Sequence, residues 1–135
     1  MRKLVLALLL LLPTTFLYAA KPQPNPADYT ITVHVVHSRS TNSYAGGLYY
    51  TFQDLETVIN GQQIELRTTN LGLLALNDYK ARVIPTRGIP KNANASDLYL
   101  TYEFLLPDGT TRTYDVTGLG PKVDPAQSPN TPTRV

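Results

Sequence analysis

The chain of 135 residues contains no cysteine and no tryptophan, and only two histidines. Without cysteine it has no disulfide, no thiol nucleophile, no thiolate for a metal and no attachment point for a lipid-modified N-terminus. Stability has to come from a packed core, or from a partner that adds to one. The histidines, His34 and His37, lie three apart, which on a strand directs them to opposite faces and denies them a shared metal. No G-x-S-x-G run places a serine on a nucleophile elbow, and no cofactor or metal is expected.

An excess of charge of either sign is also missing once the first residues are set aside. Arg2 and Lys3 precede an unbroken apolar run over residues 4–12, Pro13 ends it, and Ala19 and Ala20 follow. This is the layout of a secretory signal over residues 1–20, too short for a membrane span. An uncleaved N-terminal anchor is the competing reading, because cutting after Ala20 or Ala19 leaves Tyr18 or Leu17 where a small residue is preferred. Removal of the segment takes twelve basic residues to ten, against ten acidic ones. The isoelectric point near 8.9 therefore belongs to the precursor. A neutral domain has no long-range field to gather phosphate backbones, so nucleic acid is not an expected partner, and the mature chain has no transmembrane segment. Periplasmic or extracellular localisation follows.

What remains is one domain with prolines at its margins. Residues 21–28 read as a Pro-rich linker, residues 29–117 as the folded part, and residues 118–135, with four prolines, as a disordered tail. Periodicity within the domain is two, never 3.6. Tyr29, Ile31, Val33 and Val35 alternate with polar residues as one strand. A Ser/Thr/Asn/Gly loop is expected over residues 38–47. Leu48, Tyr50 and Phe52 then alternate in one phase and Leu55, Thr57 and Ile59 in the other, which implies a bulge or corner near Gln53 and Asp54. Asn60-Gly61 is a type I′ turn signal that sets Ile59 against Gln62, Thr57 against Ile64, Leu55 against Leu66, and Glu56 against Glu65. Leu76-Asn77-Asp78-Tyr79 reads as a corner tied by a tyrosine hydroxyl and leads into a strand over residues 79–84. Pro107-Asp108-Gly109 turns a last hairpin in which Tyr114 faces Tyr102 and Val116 faces Leu100. Six strands and no amphipathic helix predict an all-β fold, a small antiparallel β-sandwich, with a six-stranded barrel as the alternative closure.

The runs Asp54-Leu55-Glu56-Thr57-Val58-Ile59-Asn60-Gly61-Gln62-Gln63-Ile64-Glu65-Leu66, Asn77-Asp78-Tyr79-Lys80-Ala81-Arg82 and Leu105-Leu106-Pro107-Asp108-Gly109-Thr110-Thr111 are similar to those of short exported proteins of acidobacterial type. The resemblance implies export and an all-β fold and carries no site residues across.

Three groups of residues are candidates for function. Nine tyrosines stand against three phenylalanines. Tyr44 and Tyr49 flank Gly46-Gly47, and an aromatic ring with a polar tip beside bare backbone suits sugar or protein recognition. Tyr50, sharing its side with Leu48 and Phe52, is expected to be core. Lys80, Arg82, Arg87 and Lys91 form a basic stretch, either a solvated edge that resists aggregation or a surface for an anionic polymer. Glu56 and Glu65 are the one carboxylate pair near the spacing of a retaining glycosidase, but a hairpin's outer face supplies no cleft.

These observations favour an exported, non-enzymatic binding or structural module for a protein or polysaccharide of the cell exterior. A small hydrolase of envelope polymers acting through a carboxylate pair is the alternative. An accessory subunit that completes a sheet edge is a third reading. Export is expected to remove 19 or 20 residues. Intact mass of the secreted product checks this, and a retained Met1 would mark the segment as an anchor instead.

Overall fold

Alternation along the first strand, the two tight turns and the corner tyrosine all take shape in the computed structural model, which describes residues 22–70, 72–94 and 98–123. The strands are β1 (Ile31–Ala45), β2 (Leu48–Ile59), β3 (Gln62–Thr68), β4 (Asp78–Ile84), β5 (Thr101–Leu105) and β6 (Thr111–Lys122). Every pairing is antiparallel, and the strands close into a ring in the order β1-β2-β3-β6-β5-β4. The fold is all-β, and its six strands adopt the barrel closure in place of the sandwich. A sandwich needs two sheets with separate edges. Here β1 pairs with β4 from Ile31–Ala81 to His34–Asp78, and that contact removes both edges at once. Among the described residues no helix is long and apolar enough to cross a membrane.

Side chains fill the interior, as a barrel of this size requires. Val33, Val35, Leu55, Ile59, Ile64, Leu66, Ala81 and Phe104 project inward from five strands. Phe104 stacks against Tyr79 at 6.0 Å and Tyr114 at 4.8 Å between ring centroids. The Thr57 hydroxyl, fully buried, donates to the Ile64 carbonyl at 2.8 Å across its own hairpin. The Tyr79 hydroxyl donates to the Ala75 carbonyl at 2.9 Å, so the tie-back expected at the corner is made. Leu74, in the connection between β3 and β4, packs into the same core cluster.

The bulge lies on a different strand from the one expected. Residues 53, 55, 57 and 59 of β2 all face inward, with no change of parity, because Gln53 is a core residue with 1% of its surface exposed. Its side-chain oxygen accepts from the Tyr114 hydroxyl at 2.8 Å and from Arg112 at 3.2 Å, and its amide donates to Ser38 at 3.2 Å. A fully bonded amide behaves as a core residue. Read as polar, it makes Leu48, Tyr50 and Phe52 look inward when they face out. The extra residue is instead Val36 of β1, between Val35, opposite Thr57, and His37, opposite Glu56.

Both termini of the domain are longer than the sequence suggests. Residues 118–122, expected in the tail, continue β6 alongside β3, with Gly118 opposite Glu65 and Leu119 opposite Ile64. Gly118 and Gly120 leave the space across which the Glu65 and Gln63 side chains lie. Residues 22–28 form a strap with a 3₁₀ turn at Pro26–Asp28 capped by the Asn25 side chain. Tyr29 anchors the strap, buried, with its hydroxyl donating to Glu103 at 2.6 Å. Residues 1–21 and 124–135, on which the expected signal and the rest of the expected tail fall, lie outside the described residues.

The first hairpin has the register that its turn dictates, from Ile59–Gln62 to Asp54–Arg67. Asn60 and Gly61 have φ of 50° and 73°. A β-branched side chain at positive φ costs about 1–2 kcal/mol or more. Gly61→Val is therefore expected to lower the unfolding free energy by about that margin, read as a fall in the denaturant midpoint, and an unchanged midpoint would contradict the turn's role.

Candidate functional site

Barrel closure leaves residues 35–45, eleven of the fifteen residues of β1, without a paired strand on one side. β1 has 15 residues and β4 only 7, and β4 pairs with β1 only as far as His34. On the other flank, β3 pairs with β2 only as far as Gln53. The distal parts of β1 and β2 thus leave the barrel as a two-stranded ribbon, Thr41–Phe52 at its base and Ala45–Leu48 at its tip. Residues 38–45, expected in a loop, are strand. The cue in the sequence was Gly46-Gly47, a second two-residue turn, with φ of 58° and 81°.

That turn sets Tyr44 directly opposite Tyr49. Their rings lie 4.7 Å apart at 50°, and they are 63% and 82% exposed. The two therefore form one aromatic surface beside Gly46-Gly47, as expected, with space around both glycines. Below them on the same face, the Thr51 hydroxyl donates to the Asn42 side-chain oxygen at 3.0 Å. Two rings, an amide and a hydroxyl thus share one side, a combination that stacks on and hydrogen-bonds to polar, flat ligands. Tyr50 is not core: it is 43% exposed and stacks on Phe52 at 6.3 Å on the opposite face. With Gln53 inside, parity sends it outward.

The ribbon's base is clamped on the outer face. Asp54 Oδ1 and Oδ2 accept from Arg67 at 2.6 and 3.1 Å, and Oδ2 also accepts from Thr41 at 2.8 Å. Arg67 lies 4.9 Å over the Phe52 ring, and Arg39 reaches Asp54 at 3.9 Å and Glu56 at 3.6 Å. The Arg67 guanidinium holds the Asp54 carboxyl below its ordinary value, against burial and with help from Thr41.

The other candidates are placed differently. Lys80 and Arg82 share a face of β4, but their ends are engaged. Lys80 donates to Thr32 at 2.8 Å, while Arg82 holds Glu103 at 2.7 Å and Asp28 at 3.5 Å and covers the Tyr29 ring at 4.9 Å. Burial, and then the bond to Glu103, push the Tyr29 hydroxyl up to about 12. Arg82 thus fastens the strap and is not a free cation. Arg87 borders a depression of about 370 Å³ with Glu103 and Asp115, so acids face it, and Lys91 sits apart in an exposed turn. Lys80, Arg82, Arg87 and Lys91 do not make one basic surface.

Glu56 and Glu65 face each other as expected, on the open outer side of the hairpin, with Glu56 beside Arg39 and Glu65 lying over Gly118. The Val36 bulge returns His34 and His37 to one face, opposite Val58 and Glu56, where parity alone had separated them. His34 Nδ1 is 2.6 Å from Asp78. No group of three potential metal ligands occurs among the described residues.

The Asp54 clamp makes the ribbon's base sensitive to acid. A carboxyl whose folded pKa lies below its unfolded value of about 3.9 stabilises the fold above that value, and the contribution is lost as pH falls through the folded pKa. Asp54→Asn is expected to cost about 1–3 kcal/mol at pH 7. It should also flatten the loss of stability between about pH 5 and pH 2. Thermal melts of both proteins across that range check it.

Compared with family models, with curated proteins and with solved structures, the chain matches none.

Proposed function

We propose that the chain is an exported, non-enzymatic binding module that meets a protein or polysaccharide of the cell exterior through the Tyr44–Tyr49 face of its ribbon. The observation that carries this reading is the pair of touching, largely exposed rings at the tip of a ribbon that the barrel does not need for its own core. Residues 40–53 contain no charged side chain, so the face selects ligands by stacking and hydrogen bonding rather than by field. The signal pattern of residues 1–20 and the likeness to exported acidobacterial-type proteins support the compartment.

The hydrolase alternative finds little support. The Glu56–Glu65 pair stands on the open outer face of the hairpin, where no cleft encloses it, and Glu56 is engaged by Arg39 at 3.6 Å. The depression of about 640 Å³ between the strap and the β5–β6 turn is lined by Gln23, Pro24, Pro26, Leu105 and Pro107, with Lys80 and Asp78 at its rim. Its acid, Asp78, is bonded to His34. No nucleophile and base converge there.

The test is binding to isolated cell-wall polysaccharide and to solubilised envelope proteins, with Tyr44→Ala and Tyr49→Ala as the variants. Each ring is expected to behave as a hot spot, costing about tenfold or more in affinity. Thermal stability should stay unchanged, because the ribbon lies outside the core. Retained affinity in both variants would overturn the assignment of the site.

A further inference from the structure

The ribbon carries a second unmet demand besides its rings, and this one belongs to the backbone. In a two-residue hairpin the residues flanking the turn exchange both hydrogen bonds, and the pattern then alternates. Ala45–Leu48, Ser43–Tyr50 and Thr41–Phe52 are accordingly bonded pairs, and Tyr44–Tyr49 and Asn42–Thr51 are not. The N–H and C=O groups of Ser40, Asn42 and Tyr44 therefore point away from β2, along an edge that no strand covers among the described residues. All three residues are exposed.

Free edges of this length are ordinarily guarded by lysine, proline or a bulge. None occurs here: residues 40–53 hold no charge and no proline, and the Val36 bulge sits below the ribbon. The opposite edge, on β2, is shorter, because β3 takes over at Gln53. A two-stranded ribbon is also marginal in water by itself.

We infer that the β1 edge pairs with the β1 edge of a second copy of this chain, antiparallel about a two-fold axis near Asn42, to give a four-stranded sheet β2-β1-β1-β2. The edge is self-complementary under that operation. Each outward N–H meets an outward C=O, and no like charges are brought together because there are none. The antiparallel arrangement sends the two barrels to opposite ends of the sheet, where they do not collide. An axis perpendicular to the sheet keeps faces matched, so the Tyr44–Tyr49 pairs of both copies line one side as a surface of four rings. The contact covers on the order of a few hundred Å² per partner, below the roughly 800 Å² of a standard stable interface. The association is therefore reversible, with a dissociation constant in the micromolar range or weaker. This inference concerns the strand edge and not the tyrosine face, so it stands or falls independently of ligand binding.

The absence of cysteine provides a clean test. Asn42→Cys in the full chain is expected to give a disulfide-linked species of twice the chain mass under mild oxidation, because residues facing each other across paired strands lie about 5.5 Å apart, within disulfide range. Thr51→Cys, on the same face but on β2, is expected to remain monomeric, since its copies would stand about 14 Å apart across three strand spacings. Neither substitution touches the core. Absence of the dimer for Asn42→Cys, equal dimer in both variants, or an adduct of some other mass would overturn the proposal.

Discussion

A six-stranded sheet closes only if its first strand finds the far side of the ring, and here four residue pairs accomplish that, from Ile31–Ala81 to His34–Asp78. Everything else depends on how short this seam is. β4 stops where its corner begins, with Tyr79 tied to Ala75 and the Val35 N–H taken by the Asn77 carbonyl at 3.0 Å. β1 runs on for eleven residues beyond the seam. A longer β4 would have covered that strand and left no projecting surface. Closure thus does two things with one geometry: it removes the barrel's edges and creates the ribbon's.

The ribbon is held where it leaves the barrel by residues on both faces of one stretch of β2. Gln53 points inward and joins Ser38, Arg112 and Tyr114, and Arg112 also holds the Gly72 carbonyl of the β3–β4 connection at 2.6 Å. Asp54 points outward and gathers Arg67, Thr41 and Arg39. Leu55 follows in the core. A buried amide and a mostly buried carboxylate in succession are costly unless fully bonded, and here both are. The ribbon's base is therefore fixed to the barrel by directional bonds, while its tip presents apolar rings to solvent.

The barrel wall, by contrast, satisfies itself. The strap over β4 and β5 is locked by Tyr29, Glu103 and Arg82, and Asp115 accepts from the buried Thr101 hydroxyl at 2.6 Å. Among the described residues, no buried side-chain nitrogen or oxygen lacks a partner. Polar groups committed to each other are poor recruits for a ligand.

Local chemistry was enough to determine the class, the turns and most of the pairing. Asn60-Gly61 and Pro107-Asp108-Gly109 impose their backbone conformations on any fold that contains them, and period-two alternation sorts Val33, Val35, Leu55 and Ile59 inward without knowledge of neighbours. The facing of Tyr44 and Tyr49 was implicit in Gly46-Gly47 for the same reason. Tertiary structure alone decided four things. Closure as a barrel depended on β1 meeting β4, residues 44 or more apart in the chain, which no local pattern encodes. The inward facing of Gln53 depended on Tyr114 and Arg112 arriving to satisfy it, and it reversed the expected facing of Tyr50. The glycine- and proline-containing end of β6 became strand only because β3 offered it partners. Arg82 ceased to be a free cation because Glu103 and Asp28 came to it. Turns are decided by the dihedral preferences of the residues in them, whereas the placing of a polar side chain is decided by what it finds to bond.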